Sequence, residues 1–140
     1  MIEFVTEAID LNRLSAICSN DRVGAVSLFV GITRRYTANI QTDCLEYDAY
    51  ESMAEKKMLE LIDTASQKWK LQQVAFVHRL GRVPVGETSM VVAVGSAHRA
   101  DAIEACQWLV ERIKLDVPIW KKEFYSEGDP KWIHPSQATH

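Results

Sequence analysis

Two β-rich runs, Gln73 to Leu80 and Thr88 to Gly95, stand between two amphipathic helical patterns, and this arrangement restricts the fold more than any other feature of the chain. The linking residues Gly81 to Glu87 carry Pro84 and Gly86 as turn formers, so the two runs read as an antiparallel hairpin. Upstream, Ala54, Met58, Leu61, Ile62, Ala65 and Trp69 trace one face of a helix over about 53–69, with Ser52 and Glu55 as a capping box. Downstream, Ala102, Ile103, Cys106, Leu109, Val110 and Ile113 mark a second stripe, which Pro118 stops near Asp116.

The remaining segments fit around that frame. Ile2 to Thr6 reads as a strand, and Asp10 caps a short helix carrying Leu11, Leu14 and Ile17. Ala25 to Val30 reads as a strand apolar enough for burial on both faces, Thr33 to Asp43 as a loop, and Leu45 to Tyr50 as a strand. Val117 to Tyr125 reads as extended, which places Lys121 and Lys122 on opposite sides. The expected class is α+β, a mostly antiparallel sheet with helices packed on it. With 47% hydrophobic residues in 140, a single domain over 1–135 is expected, followed by a loose tail at 136–140.

The formal net charge of -3 removes any long-range attraction for nucleic acid or an anionic membrane, so a basic site must be local. No apolar run approaches membrane-spanning length, the N-terminus lacks signal-peptide features, and a cytoplasmic location is expected. Cys18, Cys44 and Cys106 are far apart among apolar neighbours and read as small core residues. The four histidines lack metal-ligand spacing, and phosphate-loop and nucleophile-elbow motifs are absent, so no metal and no cofactor are expected.

Three places put positive charge where local structure does not demand it. Arg34 and Arg35 follow a strand, where a solvated turn and a binding loop are both open readings. His98 and Arg99 open the second long helix, where a cation opposes the macrodipole by roughly 0.3–1 kcal/mol unless an acidic side chain or a bound anion offsets it. Lys114 lies in that helix's last turn, a favourable place for a cation, whereas Lys121 sits in an otherwise apolar segment. Converging, these groups would form a pocket for phosphate or carboxylate ligands.

The segments GAVSLFVGITR (24–34), LEYDAYESMAE (45–55), VHRLGRVPVGETSMVVAVGSAHR (77–99) and IKLDVPIWKKE (113–123), with Trp132 beyond, resemble the large, catalytic subunit family of molybdopterin synthase over nearly the whole chain. The resemblance implies an α/β-hammerhead-like fold with a small added subdomain, and a homodimer that binds a ubiquitin-like small subunit at each end. It implies an enzyme of molybdenum cofactor biosynthesis. Cyclic pyranopterin monophosphate receives two sulfurs from the partner's C-terminal Gly-Gly thiocarboxylate and becomes molybdopterin. Carried over residue by residue, it makes Lys114 and Lys121 catalytic, with Ile32, Thr33, Arg34, His98, Arg99, Lys122 and Glu123 joining them in binding substrate. The chain departs from the family by lacking a glycine between Arg35 and Leu45. A non-catalytic module that docks a phosphorylated metabolite or a partner's carboxylate is the alternative.

Overall fold

A computed structural model describes residues 1–134; the expected tail at 136–140 lies outside the described residues. In chain order the elements are β1 (Ile2–Val5), α1 (Leu11–Ile17), β2 (Ala25–Ile32), β3 (Tyr36–Thr37), β4 (Ile40–Ala49), α2 (Glu51–Lys68), β5 (Gln73–Arg79), β6 (Gly81–Pro84), β7 (Thr88–Ser96), α3 (Arg99–Asp116), β8 (Ile119–Tyr125) and β9 (Lys131–Ile133). They form an α+β fold around two sheets, one in the order β1-β5-β7-β2 and the other β3-β4-β8-β9, with β6 also on β4.

The expected hairpin is present, with Phe76 opposite Val92 and His78 opposite Met90. Its strands are buried on both faces, and the alternation assigns each face a helix layer. Ala75, Val77, Val91 and Ala93 pack with Leu14 and Cys18 beneath α1. Phe76, Met90, Val92 and Val94 pack against Ala54, Met58 and Leu61 of α2 and Cys106, Leu109 and Ile113 of α3. Full burial on both faces thus belongs to the centre of the sheet. β2, expected to be covered on both faces, is instead a half-buried edge strand, paired only with β7 among the described residues.

Five further expectations are corrected. The segment 33–43 is not a loop: β3 and β4 form a hairpin whose two central residues, Ala38 and Asn39, take φ of 48° and 69°. Two adjacent left-handed residues suit a two-residue hairpin turn, so this turn forms without the glycine that the family pattern led us to expect. The stretch 81–87 contains a strand, β6, which leaves the first sheet to pair with β4. α2 starts at Glu51, so Ser52 lies inside it and the capping box does not form; Tyr50 occupies the cap position without a side-chain cap. Ile103 is exposed on α3, and Ala105 takes its place in the buried stripe. Cys18 and Cys106 are buried as expected, whereas Cys44 is only half-buried and accepts from Arg82 Nη1 at 3.7 Å.

One close approach fixes how α1 meets the sheet. A Cβ built on Gly95 would lie 2.4 Å from the Cys18 carbonyl oxygen, a backbone atom that cannot swing aside. Gly95→Ala is expected to destabilise the fold by about 1–3 kcal/mol, the usual range for overpacking a filled core. A urea titration checks this, with a lowered midpoint at unchanged slope as the expected result.

Candidate functional site

The two sheets and the C-terminal end of α3 enclose a cavity of about 320 Å³, within the range of small-molecule sites. β2 supplies Phe29 to Ile32, and the residues after it supply Arg34 and Thr37. Leu45 and Tyr47 enter from β4, His78 from β5, Ser89 and Met90 from β7, and Ile113 with Lys114 from α3. β8 contributes Ile119, Lys121 and Glu123 on the one face that its alternation turns inward.

Pro118 is the reason that Lys114 and Lys121 meet. It ends α3 within one turn of Lys114, and the chain reverses into β8, whose first residues pair with the end of β4. Backbone contacts fasten the corner: Tyr50 N–H donates to the Pro118 carbonyl at 3.2 Å, and Val117 N–H to the Ile113 carbonyl at 3.1 Å. Lys114 Nζ lies 5.7 Å from the Phe29 ring centroid. Burial, then the nearby charges of Lys121 and Arg34, lower its pKa below the ordinary lysine value.

Lys121 has different company. Its Nζ lies 3.1 Å from Glu123 Oε1, and the other carboxylate oxygen accepts from the Tyr125 hydroxyl at 2.7 Å. Glu123 is buried, so its carboxylate serves these two partners rather than an incoming anion. Burial and the Glu123 carboxylate push Tyr125 up to about 12, which keeps its hydroxyl a donor.

The cavity therefore gathers Arg34, Lys114 and Lys121, with Ile32 at its mouth, 58% exposed. Arg34 Nε donates to Thr37 Oγ1 at 3.3 Å. Thr33 does not line the cavity. It is buried and clasps the 86–87 turn, donating to the Glu87 carbonyl at 3.1 Å and accepting from Gly86 N–H at 2.8 Å. Lys122 points to the opposite face of β8, its Nζ 5.3 Å from the Phe124 ring centroid and 5.5 Å from that of Trp132. Arg35, too, is outside the cavity lining.

His98 and Arg99 lie at the other end of α3, sixteen and fifteen residues before Lys114. A rise of 1.5 Å per residue puts them about 22 Å away along the axis. The residues that sequence reasoning passed over are the neutral ones: Phe29, Tyr47, His78 and Ser89. Each falls in a run that reads as ordinary strand, and only the pairing of β2, β7 and β5 in one sheet, with β4 of the other sheet against them, brings them to one place.

This geometry defines a class: an α+β protein whose two sheets and helix end hold a cationic cavity sized for a small anionic ligand. The chain belongs to the MoaE protein family, whose pattern matches residues 4–116. It is 41% identical to the molybdopterin synthase catalytic subunit of Bos taurus over 132 residues, 94% of this chain and 70% of that protein. It is also 41% identical to the molybdopterin synthase catalytic subunit of Staphylococcus aureus strain COL over 130 residues, 93% of this chain and 87% of that protein. Among solved structures, molybdopterin synthase from Staphylococcus aureus superposes with a TM-score of 0.88 at 40% identity, covering 94% of this chain and 95% of that one. A complex of subunits 1 and 2 of molybdopterin-converting factor from Helicobacter pylori superposes with a TM-score of 0.76 at 25% identity, covering 99% and 92%.

Proposed function

We propose that this chain is the catalytic subunit of a molybdopterin synthase: a sulfur transferase that converts cyclic pyranopterin monophosphate to molybdopterin with sulfur from the C-terminal thiocarboxylate of a ubiquitin-like small subunit. The observation that carries this reading is the meeting of Arg34, Lys114 and Lys121 at one cavity in a chain of net charge -3. Thiocarboxylate and phosphate-bearing pterin are both anions, and at about 4 Å they repel by roughly 4 kcal/mol at an effective dielectric near 20. Cations held in place before the two arrive offset that repulsion. Lys114, free of any carboxylate contact within ion-pair distance among the described residues, takes the tail and its developing charge. Lys121, held by Glu123, assists as a fixed charge, and Arg34 grips the pterin's phosphate.

His98 and Arg99 join this site from a second copy of the chain. The support for a homodimer is β2, an uncharged edge strand with Leu28 39% exposed. Such an edge is a template for a further strand. A two-fold antiparallel pairing centred on Leu28 sets the second copy's Ala25 opposite Gly31, a residue of the cavity lining. Ala25 pairs with Ser96, two residues before His98. Two strand spacings, roughly 10 Å, then separate the second copy's helix start from the cavity mouth. Leu28→Lys sets like charges across that axis and is expected to turn the dimer into a monomer of low activity, read by sedimentation and by turnover.

The domain 1–135 is the functional unit. No helix among the described residues is long and apolar enough to cross a membrane, and the three cysteines are unpaired, which suits a reducing cytoplasm. Incubating the chain with the precursor and thiocarboxylated partner tests the reading: dithiolene product is expected. A stable complex without product would identify a binding module instead.

A further inference from the structure

The cationic side chains account for one part of the cavity; its neutral lining carries a polar atom with no assigned task. His78 is buried between the Tyr47 and Phe76 rings, with centroids 4.6 Å and 6.3 Å away, yet its own ring lines the cavity. Its Nδ1 lies 2.8 Å from the Arg79 carbonyl oxygen. A carbonyl only accepts, so Nδ1 carries the proton and Nε2 presents a lone pair. Among the described residues the enclosed side-chain polar atoms left without a partner are Thr33 Oγ1 and Arg79 Nε. Nε2 is not among them and makes no hydrogen bond to a described residue, so it is an unused acceptor that is not fully enclosed, on a residue of the cavity lining.

We propose that His78 is a specificity-determining residue: its Nε2 accepts a hydrogen bond from an N–H of the substrate's heterocycle, while the cations at the mouth hold the anionic part. The inference rests on the functional reading above and deepens it. Every charged nitrogen in the cavity is a donor, and lysine and arginine cannot accept. A pterin ring carries N–H donors, which need an acceptor once they leave water. The Glu123 carboxylate is already engaged by Lys121 and Tyr125, whereas His78 Nε2 is an acceptor without a partner among the described residues. Burial holds the His78 pKa down to about 4, so the imidazole remains an acceptor at physiological pH. Its strand fixes the direction: β5 is hydrogen-bonded to both β1 and β7, so the acceptor is set before the ligand arrives.

Calorimetry on the full chain with two probes, cyclic pyranopterin monophosphate and inorganic phosphate, tests this. His78→Leu is expected to weaken precursor binding about tenfold, the fold-change of one buried hydrogen bond, and to leave phosphate binding unchanged. His78→Gln, which keeps an acceptor, is expected to lose less than His78→Leu. A measurement on the unaltered chain stands beside the variants: the nitrogen resonance of His78 Nε2 is expected to shift on saturation with precursor and not with phosphate. An unmoved resonance in the precursor-saturated protein overturns the role of His78 and leaves the enzyme reading intact, as does equal weakening of both probes by His78→Leu. Failure of the unaltered chain to bind precursor at all would instead remove the functional reading, and this role with it.

Discussion

Lys114→Ala is expected to lower turnover by about a hundredfold or more while leaving the fold intact, the range seen when a preorganised charge contact is lost. The fold survives because Lys114 lies in the last turn of α3 at the cavity, outside the apolar stripe that holds the helix to the sheet. Removing it also relieves crowding, since Lys121 and Arg34 both act to lower its pKa. The same crowding sets a pH signature. A lysine with a lowered pKa gives up its proton as pH rises through a value below the ordinary 10.5, so activity that needs the ammonium falls on the alkaline side earlier than for an unperturbed lysine. Lys114→Arg keeps the charge and is expected to move that limb to higher pH. Turnover of Lys114→Ala equal to that of the unaltered chain, under saturating precursor and thiocarboxylated partner, would take this residue out of the mechanism.

Glu123→Ala is expected to act on stability and activity together. Its carboxylate is buried between Lys121 Nζ and the Tyr125 hydroxyl. Truncation strands a cation whose side chain is only 18% exposed and leaves a phenol donor without an acceptor, a loss of about 2–4 kcal/mol. Lys121 then faces Lys114 and Arg34 with no compensating negative charge and swings toward solvent. Glu123→Gln separates the two effects, because it preserves shape and one acceptor while removing the charge. It is expected to fold nearly normally and still turn over at least tenfold more slowly, as a pocket with a mispositioned charge should. Denaturant unfolding and steady-state rates on both variants check this. On these contacts Glu123 is expected to act by positioning Lys121, beside the substrate contact that family resemblance implies.

The sheet edge bears on the same chemistry. In the proposed dimer the far end of α3 completes the site of the second copy, so Leu28→Lys is expected to lose assembly and activity together. Within one copy, Arg99 and Lys114 are held apart by a continuous eighteen-residue helix, and no local rearrangement shortens that distance.

Much of this protein could be read from the order of its residues. The stripes of α2 and α3, the β5–β7 hairpin, the stop at Pro118 and the alternation that parts Lys121 from Lys122 all follow from periodicity and local sterics, which act over a few residues. What lay beyond local rules was decided by partners distant in the chain. β6 exists because β4 is long enough to pair with β6 and β8 as well as β3, and no short window of residues announces a neighbour forty positions away; the β3–β4 hairpin is local, but its turn at Ala38 and Asn39 carries no glycine to mark it. Thr33 and Glu123 look like surface polar residues in the sequence. Tertiary packing buries them and commits the first to a turn and the second to Lys121. His78 reads as one more member of a buried strand. Only the enclosure of its ring, with one nitrogen bonded to the backbone and the other an unused acceptor beside a cavity, makes it a recognition group. The physical division is one of range: side-chain pattern and backbone sterics set the elements, while burial, charge proximity and strand register, which require the folded chain, set what the residues can do.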